Sequence, residues 1–344
     1  MNRPGSTDIS KFAIGFDHRD RERVHALWDE VFASEQWSEG EQTRRFEDAW
    51  ASWNGLDAAA FGSWTGGALA ALEFAGVRGE TVLCPSNTFM ATPLTVLKAG
   101  GAVEFVDCNR DDLCVSFEHF EQMVARHRPR AAWVVHIGGH VAFEIERIAE
   151  LCRAEGIFLI EDCAHAHGAD WNGRRPGSWG DAGVYSFYAT KTVSTGEGGM
   201  LVTRNDQLLE FARAYRNYGK PDYEVEGLNF RISEFTAALG LVQTERLEEI
   251  VAVKNETARA QLDPVHPSRV QLPDGMRSGL YKYIVFDEIE RSTGRVYDQP
   301  AHRLMGRDDE LPNSDWVAEN HWCVPLYYRA GREQPAATPA GVAT

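Results

Sequence analysis

In SFYATKTVSTGEGGM, residues 186–200, one lysine, Lys191, stands between an aromatic-flanked serine and a run of glycines. A lysine in that setting can be a solvated charge, a phosphate ligand or a covalent attachment point. Earlier in the chain, IFLIEDCAHAHG puts Asp162 at the end of an apolar run, with His165 three residues later. AGVYSFYATK puts Ser186 near the end of the next run, with Lys191 in the stretch after it. AAAFGSWTGGALAALEFAG passes through Thr65, Gly66 and Gly67 into an Ala/Leu-rich helix. A glycine-flanked helix N-terminus offers free N–H groups and the positive end of the dipole, which suits a phosphate.

One phosphate cradle, one carboxylate, one imidazole and one lysine form the set that pyridoxal phosphate needs. Its aldehyde wants a lysine, its phosphate wants N–H groups and hydroxyls, and its pyridine nitrogen wants a carboxylate that keeps it protonated. The glycines of TGEGG would let backbone pass close to lysine and ring. Each residue also has a plainer reading. A lone lysine is usually on the surface, Asp162 could cap a helix, and His165 could be a satisfied buried histidine. Thr65–Gly67 could be a simple turn. Read together, the cofactor assignment is favoured for all four.

The elements that must hold these groups alternate. TVLCP (81–85), AVEFVD (102–107), AAWVVH (131–136), IFLIED (157–162), AGVYSF (182–187) and GMLVT (199–203) read as buried strands. Amphipathic stretches such as SFEHFEQMVARHR and FEIERIAELCRAEG lie between several of them, the second closed by Gly156. That alternation predicts an α/β fold with a largely parallel sheet covered on both faces. Residues 233–261 read as one long helix, and 281–286 as a strand in a small C-terminal α+β domain. We therefore expect a large domain over 1–245, and a connector helix, small domain and disordered tail over 246–344.

The chain has 344 residues, enough for one large and one smaller domain. Its formal net charge of −16 argues against nucleic acid or an anionic membrane as partner. Six scattered cysteines without a C-x-x-C pair suit reduced thiols better than disulfides or a metal site. MNRPGSTDISKF has no apolar core for a signal peptide, and no run could span a bilayer, so a cytoplasmic location is expected.

Five segments in order resemble the DegT/DnrJ/EryC1/StrS family of sugar aminotransferases. They are PSNTFMATPLTVLKAGGAVEFVD (85–107), VHIGGH (135–140), EDCAHAHGA (161–169), SFYATKTVSTGEGGMLVT (186–203) and GLNFRISEFTAALGLVQ (227–243). EQWSEGEQTRRFEDAWA (35–51) is similar to the family's N-terminal segment, so the likeness spans roughly residues 30 to 260. The resemblance implies the fold type I of pyridoxal 5'-phosphate (PLP) transferases. It implies that Lys191 is the Schiff-base lysine, Asp162 the partner of the pyridine nitrogen, and His165 the partner of the ring hydroxyl. Ser186, Thr65 and Gly66 would contact the phosphate, and Phe89 would pack on the ring. Asn229 would reach the phosphate of a neighbouring subunit, which implies a homodimer with shared sites. The chain departs from the family at SWTGGAL, where Trp64 stands near a normally small position, and in its C-terminal text.

The activity implied is transfer of an amino group, with L-glutamate as donor, to a nucleotide-linked keto sugar in natural-product or surface-glycan synthesis. A dTDP-4-keto-6-deoxyhexose is the favoured acceptor. The rivals are a PLP enzyme of the aminohydroxybenzoate-synthase type and a non-catalytic scaffold on the same fold. A sugar dehydratase is disfavoured, because such members replace the lysine with histidine.

Overall fold

The computed structural model describes residues 12–328, so the tail expected to be disordered lies outside the described residues. Helix α1 (His18–Ser34) starts with a capping box between Asp17 and Asp20. Helix α2 (Glu41–Asn54) has no side-chain cap from its own segment. Instead the buried Glu234 carboxylate accepts the N–H groups of Gly40, Gln42 and Thr43 at 2.9, 2.7 and 3.1 Å. It satisfies donors that helix geometry leaves free and sets a negative charge at the positive end of the dipole.

Strands and helices then alternate: β1 (Asp57–Phe61), α3 (Trp64–Ala75), β2 (Thr81–Pro85), α4 (Ala91–Lys98), β3 (Ala102–Val106), α5 (Phe117–His127), β4 (Ala131–Val135), α6 (Ile145–Glu155) and β5 (Phe158–Asp162). After the short β6 (Asp170–Trp171) come β7 (Ala182–Ser186), β8 (Gly199–Thr203) and α7 (Asp206–Tyr215). Seven strands form one sheet in the order β1-β8-β7-β5-β4-β2-β3. All run parallel except β8, which pairs antiparallel with both neighbours. The largely parallel sheet is as expected. Its reversed strand follows β7 through a loop without a crossover helix, and such a connection returns the chain antiparallel.

Alternation along the strands divides the core. Ala58 and Ala60 pack on one face with Leu83, while Ala59 and Phe61 pack on the other with Val82 and Cys84. Gly156 takes the left-handed conformation, φ 68°, that ends α6. All six cysteines are free and buried. Among the described residues no helix is long and apolar enough to cross a membrane.

The long helix expected over 233–261 is instead three pieces: α8 (Glu234–Glu245), α9 (Leu247–Thr257) and a π-helical turn, Ala258–Leu262. The break falls at Arg246, whose guanidinium is tied to Asp17, Asp20, Glu249 and the Tyr328 hydroxyl. These tertiary partners outweigh a locally continuous helical pattern. Beyond it, β9 (Met276–Arg277) pairs with β6, and β10 (Tyr283–Val285) pairs with β11 (Trp322–Val324). Helices α10 (Ala301–Leu304) and α11 (Pro312–Glu319) lie between those last two strands. Backbone hydrogen bonds are among the contacts that return the segment to the carboxyl edge of the large sheet. Gly279 and Lys282 donate to the Gly139 and Gly138 carbonyls at 2.7 and 2.8 Å, and Ala301 donates to Ser86 at 2.7 Å.

Candidate active site

Strands β2, β4, β5 and β7 end on one edge of the sheet, and a cavity of about 930 Å³ opens there. Open α/β sheets bind ligands at that edge. Asp162, His165, Ser186, Lys191, Thr65 and Phe89 all line it.

Lys191 lies in the loop that β7 hands to β8. Its Nζ sits 4.8 Å from the centroid of the Tyr281 ring. Burial, reinforced by the positive charge of Lys282, draws its pKa down to about 8, against the pull of Asp162. A buried lysine brought that close to neutrality can lose and regain a proton at ordinary pH.

Asp162 is the last residue of β5. Burial raises its pKa, while the Ala164 N–H at 3.0 Å, Lys191 and the Thr92 hydroxyl at 3.2 Å hold it back. Its position is fixed by its neighbour. The Glu161 carboxylate, fully buried, accepts the N–H groups of Gly177, Trp179 and Gly180 at 2.8, 2.7 and 2.7 Å. It also meets His136 Nε2 at 2.8 Å. His136 Nδ1 accepts the Ala142 N–H at 3.0 Å, which leaves the ring proton on Nε2 to donate to Glu161. The His136 N–H in turn donates to the Asp162 carbonyl at 3.1 Å.

His165 is packed between two tyrosine rings, Tyr281 at 4.3 Å and Tyr297 at 6.0 Å. Burial first, then Lys191 and Lys282, push its pKa well below the usual histidine range, so the ring is neutral. Its Nδ1 is buried without a hydrogen-bond partner.

Helix α3 opens at the cavity. Trp64 buries its indole against Trp133, ring centroids 5.4 Å apart, and donates from Nε1 to the Val184 carbonyl at 3.1 Å. The unexpected tryptophan is therefore a wedge between helix and sheet. Gly66 does not line the cavity. Its N–H donates to the Ser63 carbonyl at 3.2 Å, and a Cβ there would meet Phe61 and Phe230 at 2.9 Å, so close packing requires the glycine. Asn229 also lies away from this chain's own cavity, in a segment bridged to Asn217.

Thr92, Tyr281, Lys282 and Tyr297 also line the cavity, but the sequence pattern did not single them out. Thr92 belongs to the TFMAT segment, where its partnership with Asp162 had a signal in the spacing of the motif. The other three come from the C-terminal segment. Tyr281 is locked by a 3.0 Å hydrogen bond between its hydroxyl and that of Thr190, beside Lys191.

These residues fit PLP. The cavity has an unpartnered imidazole nitrogen, a carboxyl in need of a cation, a lysine close to neutrality and an open helix N-terminus. The known proteins agree with that chemistry. A sequence model of the DegT/DnrJ/EryC1/StrS aminotransferase family matches residues 18–286. The GDP-perosamine synthase of Escherichia coli O157:H7 is 30% identical over 94% of this chain and 88% of its own length. The dTDP-3-amino-3,4,6-trideoxy-alpha-D-glucose transaminase of Micromonospora megalomicea subsp. nigra is 30% identical over 90% and 91%. The crystal structure of DesV from S. venezuelae, in complex with a ketimine intermediate, shares the fold with a TM-score of 0.83. It is 25% identical and covers 90% of each chain. The chain therefore belongs to the DegT/DnrJ/EryC1/StrS aminotransferase family and is a pyridoxal 5'-phosphate-dependent aminotransferase.

Proposed function

We propose that the chain aminates a nucleotide-linked keto sugar, with L-glutamate as amino donor. The observation that carries this is the convergence of Lys191, Asp162 and His165 on one cavity at the carboxyl edge of the sheet. The relatives' names include amino sugars linked both to GDP and to dTDP, which supports the nucleotide-linked class. Within that class we take a dTDP-linked 4-keto-6-deoxyhexose as the acceptor.

Bound PLP supplies an electron sink that stabilises negative charge at the carbon next to the transferred nitrogen. The protein's residues do the rest. Lys191 would hold the group through Nζ, and its amine, with a pKa of about 8, would serve to carry a proton at the reacting carbon. Asp162 would hold the ring nitrogen and would keep a proton there by charge. The neutral His165 imidazole offers its ring nitrogen to the ring hydroxyl. Ser186 Oγ already accepts the Tyr188 N–H at 3.3 Å, which leaves its own O–H free to donate to the phosphate. Thr65, in the first turn of α3, adds a second hydroxyl beside the helix N-terminus.

A second copy of the chain completes the site in this reading. Phe89 is 64% and Tyr188 48% exposed at the cavity's edge, and Asn229 would reach the partner's phosphate.

The test is the visible spectrum of the purified protein with PLP, before and after excess L-glutamate, beside Lys191→Ala. A yellow band that glutamate bleaches in the wild type and that Lys191→Ala cannot form supports the reading. No PLP band, or one held by another lysine, overturns it. Product analysis with dTDP- and GDP-linked keto sugars then identifies the acceptor.

A further inference from the structure

A smaller cavity, of about 40 Å³, lies next to the catalytic one and shares with it the walls formed by Thr190, Lys191, Tyr281 and Lys282. That volume holds about three or four water-sized groups, at about 10–15 Å³ each. Its far wall is helix α9, which contributes Lys254, and its near wall is the Lys191 loop, which contributes Thr192.

The chemistry of the lining is one-sided. Three lysines, 191, 254 and 282, meet there, and no aspartate or glutamate lines the cavity among the described residues. Lys254 is only 6% exposed, and its ammonium makes no hydrogen bond or ion pair with a described residue. Thr192 is 7% exposed, and its hydroxyl is buried without a partner. An unpaired ammonium and an unpaired hydroxyl in one buried pocket are both costly to leave unmatched. Burial, with Lys282 adding to it, draws Lys254 down to about 7. A negative group placed between these donors would remove the repulsion, restore the charge on Lys254 and satisfy Thr192.

We propose that this cavity is a carboxylate subsite of the catalytic pocket, with Lys254, Lys282 and the Thr192 hydroxyl as its donors and the distal carboxylate of a dicarboxylic amino donor as its ligand. The size selects the class. A carboxylate has three heavy atoms and fits the volume, whereas a phosphate ester carrying a sugar does not. The shared wall selects the source, because a donor whose amino group stands at Lys191 can place its far end beyond Tyr281. Lys254 and Thr192 are here specificity residues, which read the donor without touching the reacting atoms. The identity of the donor rests on the transamination reading, whereas the anion site does not.

The experiment has two arms. In the first, the melting temperature of cofactor-free protein is followed against acetate, glutarate and inorganic phosphate, in a bulky sulfonate background at fixed ionic strength. The wild type gains about 3–6 °C, saturably, with the carboxylates. Lys254→Met shows no such gain, and Thr192→Val needs several-fold more ligand. In the second arm, the PLP-loaded protein is titrated spectroscopically with L-glutamate and L-alanine. Lys254→Met weakens the response to glutamate at least about 10-fold and leaves that to alanine unchanged. Should Lys254→Met not fold, Thr192→Val carries both arms.

A carboxylate gain lost in Lys254→Met, with glutamate and alanine both unaffected, keeps the site but makes its ligand a free carboxylate. That result overturns the donor assignment. Carboxylate gains equal in wild type and variants, or absent from the wild type, overturn the site. If neither amino acid changes the spectrum while the variant still abolishes the gain, the site stands and the transamination reading fails. If glutamate acts equally on wild type and variants, and the gains are equal too, the reading stands and the site fails.

Discussion

The catalytic cavity has a floor and a wall built on different terms. The floor is the carboxyl edge of the sheet, where Asp162 and Ser186 end strands and Lys191 follows a few residues later. Its polar groups are held by backbone donors, most completely at Glu161, which accepts three N–H groups and meets one imidazole. The wall is the C-terminal segment. Tyr281, Lys282 and Tyr297 are carried there by loops hung on the two short strands β10 and β11. The difference is one of support. Asp162 and Ser186 sit at strand ends beside a buried hydrogen-bond network, while Lys191 and the wall residues sit on loops, which are freer to change.

That contrast can be broken in order of severity. Lys191→Ala should remove the cofactor band and cut transamination by at least about 10⁴-fold, measured with dTDP-linked and GDP-linked acceptors. Asp162→Asn should keep the band and lower kcat by about 10²–10³-fold, since the ring nitrogen loses its charged partner. Glu161→Ala should act on the fold as well as the chemistry. It leaves three buried N–H groups and His136 without an acceptor, and urea unfolding should show a loss of about 3–5 kcal/mol. A loss below 1 kcal/mol would mean that the floor is not held as described.

Wall substitutions should be milder and should appear in KM. Tyr281→Phe removes the bond to the Thr190 hydroxyl, about 0.5–1.5 kcal/mol, and should raise KM a few-fold with kcat nearly unchanged. If kcat falls as far as in Asp162→Asn, the division between floor and wall does not hold.

A separate readout is a pH signature in cofactor-free protein. Lys191 has a folded pKa of about 8 against 10.5 for an ordinary lysine, so the unfolded chain binds more protons between those values. Stability therefore rises with pH through that window, as the penalty of burying the charge is lifted. The advantage of Lys191→Met over the wild type in urea should be full below about pH 8 and should fade as pH approaches 10.5.

The same contrast decides what could be read from the chain. Asp162, Ser186 and Lys191 were legible because a strand ends beside each of them, and strand ends are marked by local apolar runs. The six strands read between residues 81 and 203 were legible for the same reason, to within one residue, whereas the strand expected over 281–286 is only Tyr283–Val285. Tyr281, Lys282 and Tyr297 were not, because their place depends on where a loop far along the chain returns. The contacts from Gly279 and Lys282 to Gly139 and Gly138 set that return, and nothing local in YKY announces it. The break at Arg246 was hidden too. No proline or glycine marks it, and its partners Asp17, Asp20 and Tyr328 are remote in sequence. Gly66 has a second demand that no local pattern shows, since a Cβ there would meet Phe61 and Phe230 at 2.9 Å.

Glu234 ties the start of α2 to a residue 194 positions from Gly40. On a ribosome adding about 5–20 residues per second, the first turn of that helix waits roughly 10–40 seconds for its acceptor. During that interval the side of Phe46 that packs against Gly240 of α8 lacks its cover. The nascent chain thus offers this part of α2 to chaperones and to other nascent chains until residue 234 and α8 emerge. Variants that weaken this cap should lower the yield of folded protein in the cell more than they lower the stability of what has folded.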